Sequence, residues 1–127
     1  MESGERDLGV LLRRMAPALQ EDEFVFCTAR EIAGAPVCSI REAEGWTLIL
    51  RRWEAEGLGM EAAFPCRMIT LTAHSSLEAV GLLAAVTAAL AAAGISVNAV
   101  SGYYHDHLFV PVERAEEALE LLRRMGR

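Results

Sequence analysis

Residues 68–101 read MITLTAHSSLEAVGLLAAVTAALAAAGISVNAVS, and this stretch decides the fold. Met68, Thr70 and Thr72 alternate with Ile69, Leu71 and Ala73, the period of a strand with one wetter face. Ser75-Ser76-Leu77-Glu78 then has the S-x-x-E spacing of a capping box. In that motif the Ser75 hydroxyl takes a free N–H of the first helical turn and Glu78 reaches back to the Ser75 N–H. The spacing predicts a helix from about Ser76 to Ala93, ended by Gly94 where a left-handed residue is favoured. Ile95 to Ser101 reads as the next strand. From Ala79 to His105 there is no Asp, Glu, Lys or Arg, a length able to span a bilayer. Gly94 interrupts it and Ser96, Asn98 and Ser101 follow, so helix plus strand is the reading.

Downstream, Gly102-Tyr103-Tyr104-His105-Asp106 reads as a hairpin turn and His107 to Val112 as a strand. Glu113 to Met125 is an amphipathic helix, with Ala115, Ala118, Leu119, Leu122 and Met125 on one face. The order is β-α-β-β-α, one strand short of a ferredoxin-like βαββαβ unit. Upstream, Leu8, Leu11, Leu12 and Met15 mark a helix ended near Pro17. Phe24–Thr28, Val37–Ile40 and Trp46–Leu50 are β-prone runs. Residues 54–65, with two Gly and a Pro, read as a linker. The expectation is an α+β, two-layer protein of two halves, 1–62 and 63–127, each completing the other's sheet.

Composition excludes several classes. The 127 residues suit one compact domain or two very small ones. Eighteen acidic against twelve basic residues give a net charge of −6, contrary to the basic stripe of nucleic-acid or anionic-membrane binders. Cys27, Cys38 and Cys66 form no C-x-x-C pair and read as reduced thiols. The acidic N-terminus, with no apolar run behind it, reads as cytoplasmic.

The segments at 69–82, 94–107 (GISVNAVSGYYHDH) and 108–111 (LFVP) resemble the ACT domain, the βαββαβ amino-acid-binding module of regulated biosynthetic enzymes. They look like the small stand-alone bacterial tandem-ACT proteins, similar in turn to the ACT pairs of aspartate kinases and to the cytosolic arginine sensors of animals. The resemblance covers roughly the last 60 residues in specific detail, and the first 40 only as a fold. It implies ligand sensing without chemistry, with ACT modules side by side and a ligand at the seam between them. Residues 79–93, with Thr87 the only polar side chain, want cover on both faces, and with that association a homodimer is expected.

Two lines of reasoning place the site. A helix start offers free N–H groups and the positive end of the macrodipole, which suits the carboxylate of an amino acid. The resemblance puts the effector at the same turn. His74, Ser75, Ser76 and Leu77 are the expected contacts, with Val80 and Gly81 lining the pocket. The plain alternative is that Ser75 and Glu78 only cap a helix, worth about 1 kcal/mol. Asn98, unusual in mid-strand, is read either as a polar anchor for the ligand or as an edge hydrogen bond. His105 and His107 share a side if the strand is regular, yet a metal needs three or four converging ligands. No nucleophile elbow supports a Ser–His–Asp triad. No catalytic residue, metal or cofactor is therefore expected. The second functional hypothesis is a ligand-free protein–protein interaction module; a third, an enzyme, rests only on the His-Asp-His string.

Overall fold

Two long strands lie side by side at the centre of the molecule, one from each half. In the computed structural model, which describes residues 4, 6–73, 76 and 78–127, they are β1 (Pro17–Ala29) and β4 (Ala62–Leu71). A short helix, α1 (Leu8–Arg13), precedes β1 and is capped by the Asp7 carboxylate, which accepts the Val10 N–H at 2.9 Å. The first half continues with the hairpin β2 (Cys38–Glu42) and β3 (Gly45–Arg51), then α2 (Arg52–Gly57). The second continues with α3 (Leu82–Ala92), the hairpin β5 (Asn98–Ser101) and β6 (Asp106–Pro111), and α4 (Ala115–Met125).

All six strands form one antiparallel sheet in the order β2-β3-β1-β4-β6-β5. Read outward from its middle, that order is the same in both directions. Each half has three strands of a ferredoxin-like unit and takes its fourth from the other: β4 for the first half, β1 for the second. The strand missing from the C-terminal sequence pattern is thus β1.

The helices cover one face. Ile69, Leu71, Leu108 and Val110 meet Leu11, Val86, Leu90, Ala118 and Leu122 in the larger core cluster. Val25, Cys27, Leu48 and Leu50 meet Ala55 of α2 in the smaller one. On the helix-free face Phe24, Ile49, Cys66 and Phe109 are buried among themselves and their neighbours, with Phe24 edge-on to Phe109 at 6.0 Å. Burial raises the Cys66 thiol to about 12, and its S–H points at the Phe24 carbonyl, 3.3 Å away. It is a packing group and not a nucleophile.

Several boundaries differ from the sequence reading. The helix expected from Ser76 begins at Leu82, because Gly81 stands before it at φ 99 and breaks the helical path. Ser76 instead closes a turn of its own, its hydroxyl accepting the Glu78 N–H at 3.1 Å. Glu78 pairs with Arg6 and reaches no helix start, so the capping box does not form at α3. Ser75 lies outside the described residues. The expected linker at 54–65 is most of α2, a turn and the start of β4. Pro65 is accommodated there because β4 carries an extra residue opposite Phe24–Phe26, with Phe64 at φ 58; a proline costs no ladder bond in such a bulge.

β1 is far longer than the run Phe24–Thr28, and arginines line its polar part. The register slips between Leu19 and Glu23, leaving the Gln20 carbonyl without a ladder partner. Arg67 donates to it from Nε at 3.2 Å and Nη2 at 2.8 Å. Arg51 and Arg52 hold Asp22 and Glu23, each at 2.9 Å.

Gly45 opens β3 at φ 144, where an added Cβ would lie 2.9 Å from the Ala29 carbonyl oxygen, a backbone atom that cannot swing away. Gly45→Ala is therefore expected to lower stability by about 1–3 kcal/mol, the usual range for enforced backbone strain. The urea midpoint reads it; an unchanged midpoint would contradict the register of this hairpin.

Candidate functional site

A cavity of about 110 Å³ lies on the helix-covered side, where α3 begins beside the β5–β6 hairpin. Gly81, Leu82, Leu83 and Ala84 form one wall. The first bond within α3 runs from the Ala85 N–H to the Gly81 carbonyl, 2.9 Å. The N–H groups of Leu82, Leu83 and Ala84 therefore have no acceptor inside the helix and form its positive end. The opposite wall is Ser101 and Asp106, with Ser76 and Ala79 closing the side.

Asp106 is only 6% exposed, and its Oδ1 accepts the Ser101 hydroxyl at 2.7 Å. The hairpin register sets this pair: Ser101 and Asp106 stand opposite each other and point to the same face as Leu108 and Val110. The cavity thus has amide donors and a helix dipole on one side and a carboxylate on the other. Such a socket favours a dipolar molecule. A bare anion meets Asp106, and a bare cation meets the helix end.

Of the residues expected from the sequence, Ser76 and Gly81 line this cavity. Val80 is 83% exposed and is not among its walls. Asn98 lies on the helix-free face with Val100 and Phe109, since it is an odd number of residues from Ser101 on the same strand. His74, Ser75 and Leu77 lie outside the described residues. Ser101 and Asp106, not among the expected residues, also line the cavity. The signal was an aspartate two residues before the buried Leu108 on the same alternating face.

The same alternation parts the His-Asp-His string. Asp106 faces the helices, while His107 faces the other way, its Nδ1 3.0 Å from the Thr70 hydroxyl. Among the described residues no three potential metal ligands converge. A wider hollow of about 420 Å³ opens on the helix-free face between Phe26, Thr28, Thr47 and Ala63. Its walls offer Glu61 and hydroxyls but no positive group for a carboxylate.

Burial lowers the His107 pKa, His105 lowers it further, and Asp106 opposes them. Between this lowered value and the ordinary one near 6.5 the unfolded chain binds more protons than the folded one. Stability contributed by neutral His107 is therefore complete above about pH 6.5 and is lost as pH falls below it. His107→Asn, which keeps a partner for Thr70, is expected to flatten that part of the pH–stability curve. The same slope in both proteins would assign the loss elsewhere.

Two family profiles, each describing an ACT domain, match residues 3–67 and 63–124. The chain belongs to the ACT domain family. It carries two ACT domains in tandem, and the shared sheet is how they are joined. A Vibrio cholerae protein of unknown function, described as a possible transport protein, is 43% identical over 94% of this chain and 96% of its own, with a TM-score of 0.83. The ligand-free regulatory subunit of aspartate kinase from Thermus thermophilus is 13% identical over 87% of this chain and 96% of its own, TM-score 0.67; that likeness is one of fold. An Agrobacterium tumefaciens protein is 19% identical over 82% of this chain and 81% of its own, TM-score 0.64. No curated protein sequence matches the chain. Among the described residues, no helix of this tandem ACT protein is long and apolar enough to cross a membrane.

Proposed function

We propose that this tandem ACT chain is a small-molecule-binding regulatory protein with no chemistry of its own, and that its ligand is an α-amino acid. The ligand's carboxylate takes the free amides of Leu82, Leu83 and Ala84, and its ammonium takes Asp106. His74, Ser75 and Leu77 are further contacts of this proposal, with Ser76 and Gly81 at the cavity wall. The observation that carries this reading is the buried carboxylate facing the positive end of α3 across about 110 Å³. Family membership supports it, because the ACT pairs of aspartate kinases are regulatory.

The protein acts in the cytoplasm as a homodimer. The cavity lies beside β5, an edge strand of the sheet, so a second copy against that edge turns the cavity into a seam between ACT units. Asn98, exposed on the same strand, then serves the pairing of the two copies. Binding stabilises the folded state by mass action and biases whatever partner equilibrium the protein controls.

A thermal-shift panel of the proteinogenic amino acids, each beside its analogue lacking the amino group, tests this. At about a hundred times its dissociation constant, a binding amino acid adds ~2.7 kcal/mol and raises the melting temperature by several degrees. The analogues are expected to do much less. Equal shifts from amino acid and analogue would remove Asp106 from the site. No shift from any compound would favour the ligand-free interaction module, for which the exposed Val80 and the uncharged β5 edge are the motivating features.

A further inference from the structure

The two hairpins correspond position by position in their strand registers. In the first half Arg41 stands opposite Trp46 and Glu42 opposite Gly45, across a two-residue loop. In the second, Ser101 stands opposite Asp106, and the Gly102 N–H bonds the His105 carbonyl at 2.8 Å across another two-residue loop. The outer pairing agrees: Trp46 adjoins Ala29 of β1 as Asp106 adjoins Leu71 of β4. Trp46 is thus the counterpart of Asp106, and Arg41 of Ser101, on the same helix-covered face.

The chemistry at the two places differs throughout. After β4 the chain builds α3, whose start supplies the amides; after β1 residues 30–37 form a short loop and build no helix. Where the second half has a carboxylate beside a cavity, the first has an indole packed on Val25, Cys27, Leu48 and Leu50. The cation is also built in, since the Arg41 guanidinium lies 5.9 Å from the Trp46 ring centre. That is within cation–π range.

We infer that the N-terminal ACT unit is a filled counterpart of the binding unit, with Trp46 and Arg41 as its resident occupant, so that each chain binds a single amino acid, in the C-terminal unit. The inference rests on the reading proposed above, and the test separates the two. The full chain is dialysed to equilibrium against each of the twenty proteinogenic amino acids in turn. Wild type, Asp106→Asn and Arg41→Ala are compared, their folding checked by far-ultraviolet circular dichroism and a cooperative melt. The expected result is one equivalent per chain, with affinity at least tenfold weaker in Asp106→Asn and within twofold of wild type in Arg41→Ala. Two equivalents per chain would overturn the inference and leave the sensor reading standing. One equivalent that weakens in Arg41→Ala and survives Asp106→Asn would overturn the inference and take Asp106 out of the proposed site as well. Should none of the twenty bind, the sensor reading itself fails, and this inference with it.

Discussion

Residues 1–62 and 63–127, expressed separately, are expected to give two chains that do not unfold cooperatively, while the intact protein melts in one transition. We place the boundary between the halves there, and such a cut separates β1 from β4. That pair is the middle of the sheet, with register partners running from Pro17↔Leu71 to Cys27↔Ala62. Losing it leaves each half with a three-stranded sheet and a long unpaired strand at its edge. It also exposes apolar surface on the helix-free face, where Phe26 of one half lies 5.7 Å from Phe109 of the other. Small domains have only about 5–15 kcal/mol in hand, so the loss of this whole strand pair and its buried apolar contacts is expected to unfold each piece. Mixing the two pieces should restore a single cooperative melt. Two independent sigmoidal transitions, one per piece, would show that the halves are separate domains and that the shared sheet is incidental.

Asp106→Asn is expected to weaken amino-acid binding by about 10- to 100-fold. Asparagine is nearly the same size, and its carbonyl oxygen still accepts the Ser101 hydroxyl, so the hairpin keeps its shape. What is lost is the charge that answers an ammonium. A hydrogen bond to a charged group is worth about 1.5–3 kcal/mol, and each 1.4 kcal/mol is tenfold in affinity. Isothermal titration with whichever amino acid binds wild type measures the change. The analogue lacking the amino group should bind Asp106→Asn no more weakly than wild type, because it never used the carboxylate and is freed of its charge. An unaltered affinity for the amino acid would take Asp106 out of the site.

Much of the architecture was legible because it follows from periodicity. The amphipathic stripe of α4, the alternation of β4 and the incomplete β-α-β-β-α order pointed to two halves sharing one sheet. Other parts were hidden for physical reasons. Gln20-Glu21-Asp22-Glu23 looks like a loop, and its partners, β4 and the arginines Arg51, Arg52 and Arg67, are distant in sequence. The motif at Ser75–Glu78 is a sound capping box by composition. Yet Gly81 takes a left-handed conformation that local pattern does not announce, and the helix starts after it. The candidate site was legible as a place and not as a residue set. Of the residues expected at the start of the alanine-rich helix, Ser76 and Gly81 line the cavity. Asp106 was noticed in the wrong company, because a string of three polar residues hides that a strand sends its middle member to the opposite face. Asn98 drew notice by its chemistry, and the same alternation turns it away from the cavity.

The most direct test of the central claim is an amide NMR titration of the full chain with an amino acid that raises its melting temperature. The largest shifts are expected at the amides of Leu82, Leu83 and Ala84 and across the hairpin at Ser101 and Asp106, with residues 30–50 little changed. Shifts concentrated around Phe26 and Ala63 on the other face, with the start of α3 silent, would contradict it.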